Sequence, residues 1–129
     1  MDILKTITNQ LSGNITEAGF EGANIVLYTD NQNFFLSGES AIKEVVNQVK
    51  KRIELRADKK ILKKEEETEK EIRSIIPSDA EITSIMFDIH RSIVVIEAKR
   101  PGMVIGKQGS ILEDIKKSTN WVAQVQRAP

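Results

Sequence analysis

Two glycines three residues apart, Gly106 and Gly109, interrupt an apolar pattern that otherwise keeps helical spacing from Met103 to Ile115. No other feature restricts the fold as much. Glycine weakens a helix by about 1 kcal/mol relative to alanine. A pair of them enclosing a cation, as in "VIGKQGSILEDI", therefore marks a tight turn or a close approach to the backbone. Upstream, "SIVVIEA" (92–98) is almost continuously apolar, as a central strand covered on both faces would be. Arg100-Pro101-Gly102 then breaks the chain. Downstream, Ile111, Leu112 and Ile115 form one helix face, and "WVAQVQR" (121–127) alternates as a last strand. Ser110 or Gly109 opens the helix, whose unpaired N–H groups and positive dipole end favour an anion. Lys107 adds a mobile cation, and Met103, Val104 and Ile105 an apolar wall. A phosphate-attracting rim beside an apolar floor suits a short single strand, backbone on the loop and bases on the floor. "GKQGS" lacks the spacing and terminal lysine-serine pair of a P-loop. Taken alone, two such glycines also fit a helix-to-helix turn with a glycine cap.

The segment before the glycines extends the pattern. "EEETEKE" opens a long polar helix over 65–76, acidic where the macrodipole favours acids. Ile72, Ile75 and Ile76 form its stripe and Pro77 stops it. Ile85, Phe87 and Ile89 alternate as a strand, and a short extra helix precedes the glycines. The first half repeats this order faintly. Leu4, Ile7 and Leu11 predict a first helix that Ser12-Gly13-Asn14 ends. "ANIVLYT" (23–29) reads as a strand, and Asp30 to Asn33 as a hairpin connection into a second strand, "FFL" (34–36). Ile42, Val45, Val46 and Val49 make a helical stripe, and "RIELRA" (52–57) closes the half. "ESAIKEVV" (39–46) lies on "GSILEDIK" (109–116), so two copies of one small α+β unit explain the length. The shift from basic "DKKILKK" to acidic "EEETEKE" predicts the boundary, giving domains 1–64 and 65–129.

Composition narrows the function classes. Nineteen basic and nineteen acidic side chains cancel, so attraction for a polyanion must come from a local patch. No cysteine is present and only one histidine, His90. Disulfides, thiolate zinc sites, a cysteine nucleophile and histidine zinc clusters therefore cannot be built within this sequence. His90 falls where a chain reversal is expected and reads as an exposed turn residue. No catalytic residue, metal site or cofactor is expected. With no signal peptide in "MDILKTITNQLSGN" and no apolar run near the roughly 20 residues of a membrane helix, the expected location is cytoplasmic.

"VIGKQGSILEDI" resembles the KH domain, whose signature is V-I-G-x-x-G before an apolar-patterned helix. The resemblance implies a type II unit, α-β-β-α-α-β, with a three-stranded mixed sheet and helices on one face. It also implies that the loop clamps the backbone of about four nucleotides of single-stranded RNA or DNA. Gly106, Lys107, Gln108, Gly109 and Ser110 would then form the RNA-binding clamp. Val104, Ile105 and Ile111 would line the groove or hold its two helices together. At the equivalent place the first half reads Leu36-Ser37-Gly38-Glu39. One glycine remains, the first short helix is nearly absent, and Glu39 puts a negative charge where phosphate would sit. Residues 1–64 are thus a degenerate KH-like unit lacking GxxG.

The pair, with "RPGMVIGKQG" as its most specific part, is similar to the N-terminal region of archaeal β-CASP metallo-β-lactamase ribonucleases. These are homologues of the cleavage and polyadenylation specificity factor nuclease. That resemblance implies a module that positions RNA for a zinc-dependent nuclease in RNA 3′-end processing and transcription termination. The nuclease domain itself is absent from this sequence. The alternative is a KH-fold structural module for dimerisation or for docking a transcription or ribosomal partner; the sequence leaves a homodimer open.

Other residues carry less. Trp121 reads as partly buried against the sheet, or else as a platform for a base. Arg100, Lys116, Lys117 and Arg127 are candidate phosphate contacts, and the amides of Gln124 and Gln126 candidate readers of base edges. Lys50, Lys51, Arg52, Arg56, Lys59 and Lys60 either extend the path of the strand or are simply solvated.

Overall fold

The computed structural model describes residues 2–11 and 13–129; Ser12, assigned above to the end of the first helix, lies outside them. The chain divides into two compact units, residues 1–61 and 62–129. Each runs α-β-β-α-α-β and holds its own three-stranded mixed sheet.

In the first unit α1 (Ile3–Gln10) is capped by Asp2, whose carboxylate accepts from the Leu4 amide. It is followed by β1 (Glu17–Glu21), β2 (Asn24–Thr29), α2 (Gln32–Ser37), α3 (Glu39–Val49) and β3 (Ile53–Ala57). β1 pairs with β2 antiparallel and β2 with β3 parallel. Ile25 and Leu27 of β2 meet Ile7 of α1, Leu11 at the end of that helix, and Ile42 and Val45 of α3, with Phe34 of α2 packed against them. The helices therefore share the face that carries the odd-numbered residues of β2.

Two expectations fail here. Phe34-Phe35-Leu36 is helical, not the second strand, and Asp30 to Asn33 is not a hairpin. Asn31 caps α2 by accepting from the Phe34 amide, and Phe35 is buried. The first short helix is accordingly present, with six residues. The missing strand is β1, "EAGFE", at the sheet edge; its identity comes from pairing with β2 across a turn at Gly22.

In the second unit α4 (Glu65–Ile75) leads through a 3₁₀ turn to β4 (Ile82–Asp88), β5 (Ile93–Ala98), α5 (Pro101–Ile105), a 3₁₀ turn (Lys107–Gly109), α6 (Ser110–Thr119) and β6 (Val122–Arg127). Sheet order is β4-β5-β6, with β6 parallel to β5. β5 is central as expected, but helices cover only one of its faces. Val94, Ile96 and Ala98 pack with Ile72 of α4, Val104 of α5 and Ile115 of α6. The opposite face includes the row Met86–Val95–Gln124, in which Met86 is 45% exposed and Val95 half-buried. Trp121 is fully buried rather than partly. Its indole N–H donates to the Lys63 carbonyl at 2.7 Å, and its ring meets Phe87 edge-on at 4.9 Å, so it offers no face to a base. His90 is exposed in the β4–β5 turn. No helix among the described residues is long and apolar enough to cross a membrane.

Candidate nucleic-acid interface

The loop between α5 and α6 is built from backbone conformations that few residues adopt. Pro101 starts α5, where its missing N–H costs nothing. The helix ends after one turn as the Gly106 N–H bonds to the Gly102 carbonyl at 3.1 Å. Gly106 then takes φ 77 and ψ 177, a region essentially reserved for glycine. A Cβ there would stand 2.7 Å from Ile111 Cγ1 and 2.9 Å from the Ile111 amide nitrogen. Gln108 (φ 56) and Gly109 (φ 76) are both left-handed, and α6 begins at Ser110.

Gly109 has no side chain with which to cap α6. The first-turn amides of α6 are thus left without the oxygen that Ser, Thr, Asn or Asp would supply. Lys107, Gln108 and Ser110 are exposed around this helix end, and Ile105 is 39% exposed beside it. Two left-handed residues, an uncapped helix start and an exposed lysine are the chemistry that favours an anion. Glu113, in the same first turn, puts one negative charge on the helix flank.

The other site residues fall into different places. Val104 is fully buried; it fastens α5 to the core and presents no atom to a ligand. Ile111 is half-buried and its backbone closes against Gly106, holding the two helices at their junction. Lys116 and Lys117 lie in the last turn of α6, at the end away from the loop. Arg100 donates to the Asp79 carbonyl at 2.7 Å and to Glu81 at 2.5 Å, so its charge is already countered. Gln126 donates to Glu97 at 3.0 Å. Hydrogen bonds from Thr83 and Gln126 hold the Glu97 carboxyl below its usual range. Gln124 and Arg127 are exposed.

The equivalent junction of the first unit has a different build. Four residues, Gly106 to Gly109, separate α5 from α6; one, Gly38, separates α2 from α3. Gly38 has an ordinary φ of −81, and glycine is needed there only because a Cβ would meet the Phe34 carbonyl oxygen at 2.5 Å. The start of α3 also lacks a side-chain cap, but no left-handed residue and no lysine stand at this junction. Arg56, one of the cations considered for the first unit, is also withdrawn. It is buried, with Glu21 at 2.5 and 2.9 Å and Glu54 at 2.6 Å. Burial opposes its charge, but hydrogen bonds to Glu21, Glu54 and Tyr28 outweigh that and raise its pKa.

Comparison with known proteins finds a KH-domain model in each half of the chain. A family model described as the KH domain of transcription termination factor FttA matches residues 1–62. The general KH-domain model matches residues 59–123. Curated relatives named transcription termination factor FttA include one from Methanococcus maripaludis, 40% identical over 130 residues, covering 99% of this chain and 20% of the relative. Another from Pyrococcus abyssi is 41% identical over 129 residues, covering 98% and 20%. The chain spans about a fifth of the length of these relatives.

Proposed function

The chain belongs to the KH-domain family, and from that premise we propose that its second unit holds single-stranded RNA through the Gly106–Gly109 loop. The bound strand lies with a phosphate on the α6 N-terminus and Lys107, and with bases towards Ile105. The first unit supports this module and has no clamp of its own. In a longer polypeptide the module presents RNA to a nuclease that acts in 3′-end processing and transcription termination. The resemblance to archaeal β-CASP ribonucleases and the name carried by the relatives support that role. RNA as ligand places the work where transcription occurs, in the cytoplasm of an archaeal cell.

One observation carries the reading. Of the two junctions between paired helices, only 106–109 combines left-handed backbone, an uncapped helix start and an exposed lysine. Replacing Lys107 and Gln108 with aspartate puts two negative charges at that point. The double variant keeps the wild-type thermal unfolding profile and loses affinity for short single-stranded RNA. Wild-type affinity falls with salt at a log–log slope near −2, as for about three neutralised phosphates. Unchanged RNA affinity in the variant would end the clamp model and leave the loop a purely structural role. A titration with DNA of the same base sequence separates the two sugars.

A further inference from the structure

We propose that the first unit carries a second contact for a single-stranded polynucleotide, with Phe20 as a stacking face and Lys50, Lys51 and Arg52 as phosphate partners. It rests on the reading of the chain as a single-strand binder but uses none of the same residues. Phe20 is 51% exposed although its side chain lies on the helix-covered face of β1. It pairs with Ile25, which pairs with Ile53; Ile25 is fully buried and Ile53 half-buried. The row therefore runs from core to solvent within one sheet and ends on an aromatic ring.

The three cations stand at the other end of that row. α3 packs over Ile25 and Ile53 through Val45, Val46 and Val49. It stops where Lys50 turns left-handed at φ 56. Lys50, Lys51 and Arg52 follow directly, all exposed, and the Arg52 carbonyl accepts from the Ile25 amide at 2.9 Å. Ring and cations are thus about two strand spacings apart, roughly 10 Å. Among the described residues none of the three cations forms an ion pair. The acids of β1, Glu17 and Glu21, alternate onto the opposite face, and Glu21 is held by Arg56. Arg52, one residue before Ile53, alternates onto that face as well, so it meets the bound strand at the end of the sheet while Lys50 and Lys51 flank the ring's side. An unpaired basic triplet beside an exposed ring matches a ligand with phosphates and flat bases: cations track the backbone while the ring stacks on any base. The patch is also separate from the Gly38 junction, which lies at the other end of α3, about 16 Å along an eleven-residue helix.

The test measures binding of the full chain to two RNAs: an oligomer of about four nucleotides, the span of a GxxG clamp, and unstructured polyuridylate. The variant with Lys50, Lys51 and Arg52 all changed to alanine keeps its affinity for the short oligomer. For the long strand its salt slope becomes shallower by about 2, from about 0.7 per lost phosphate contact. Phe20→Leu weakens the long strand about five- to hundredfold with the slope unchanged, and Phe20→Tyr restores it. Thermal unfolding of each variant matches wild type. If the triple variant binds polyuridylate with wild-type affinity and slope, or Phe20→Leu is silent, this contact does not exist, while short-strand binding keeps the loop reading intact. Wild-type protein that bound neither RNA would overturn both together.

Discussion

Gly106→Ala tests the loop geometry at its tightest point. With φ 77 and ψ 177, any residue bearing a Cβ is strained there by about 1–3 kcal/mol. The added atom would also meet Ile111 Cγ1 at 2.7 Å, the Ile111 amide nitrogen at 2.9 Å and Ser110 Oγ at 3.0 Å. Rotating the Ile111 side chain relieves the first contact; only shifting the first turn of α6 relieves the second. Overpacking of this kind adds about 1–3 kcal/mol, and about 3 kcal/mol in all is expected after partial relaxation.

Gly109→Ala is the internal control. Gly109 is left-handed at φ 76 and ψ 15, but a Cβ there meets nothing within 4 Å. Its cost is the left-handed penalty alone, about 1–2 kcal/mol. Urea unfolding followed by tryptophan fluorescence reads the second unit alone, because Trp121 is the single tryptophan and sits in that unit's core. With a urea dependence near 1 kcal/mol per molar, the low end that suits a small unit, the midpoint falls by about 3 M for Gly106→Ala. It falls by about 1–2 M for Gly109→Ala. Equal midpoints would refute the reasoning, since the two glycines differ chiefly in what a Cβ would strike.

Arg56→Ala removes the guanidinium that Glu21 and Glu54 bind and costs about 3 kcal/mol. That is the low end for a broken buried pair, because those carboxylates keep a third or more of their side chains in water. Amide exchange in β2 and β3 measures it, and protection unchanged from wild type would show the network to be idle. Asp58 supplies a pH dependence. The Lys60 amide donates to its carboxylate at 3.0 Å and Thr16 at 2.9 Å; with the backbone bond the larger cause, its pKa is lowered. The stabilisation is therefore full above the ordinary carboxylate value and disappears as pH falls through the lower folded one. Asp58→Asn flattens that acid limb of the melting profile, and an unaltered limb would place the titration elsewhere.

The second unit was legible because its signals are local. A long apolar strand, two glycines and a helical stripe each announce themselves within a dozen residues. The first unit was misread where local signals are ambiguous. Phe34-Phe35-Leu36 is a short apolar run whose period fits strand or helix equally, and the Asn31 cap decided for helix. β1 has glycine in its middle and glutamates at both ends, so nothing in "EAGFE" itself requires a strand. Five backbone pairings with β2 do.

The same contrast governs the site. By itself the sequence determined where the loop lies, since Gly106 takes a backbone that only glycine tolerates, Gly109 one that glycine favours, and their spacing is visible in one dimension. Which polar groups remain available around it was decided in three dimensions. Arg56, Arg100 and Gln126 all looked like free contacts, yet Glu21, Glu81 and Glu97 engage them across 35, 19 and 29 residues of chain. A charge is free or spent according to what stands within a few ångströms, and sheet pairing and helix packing set that distance, not proximity along the chain.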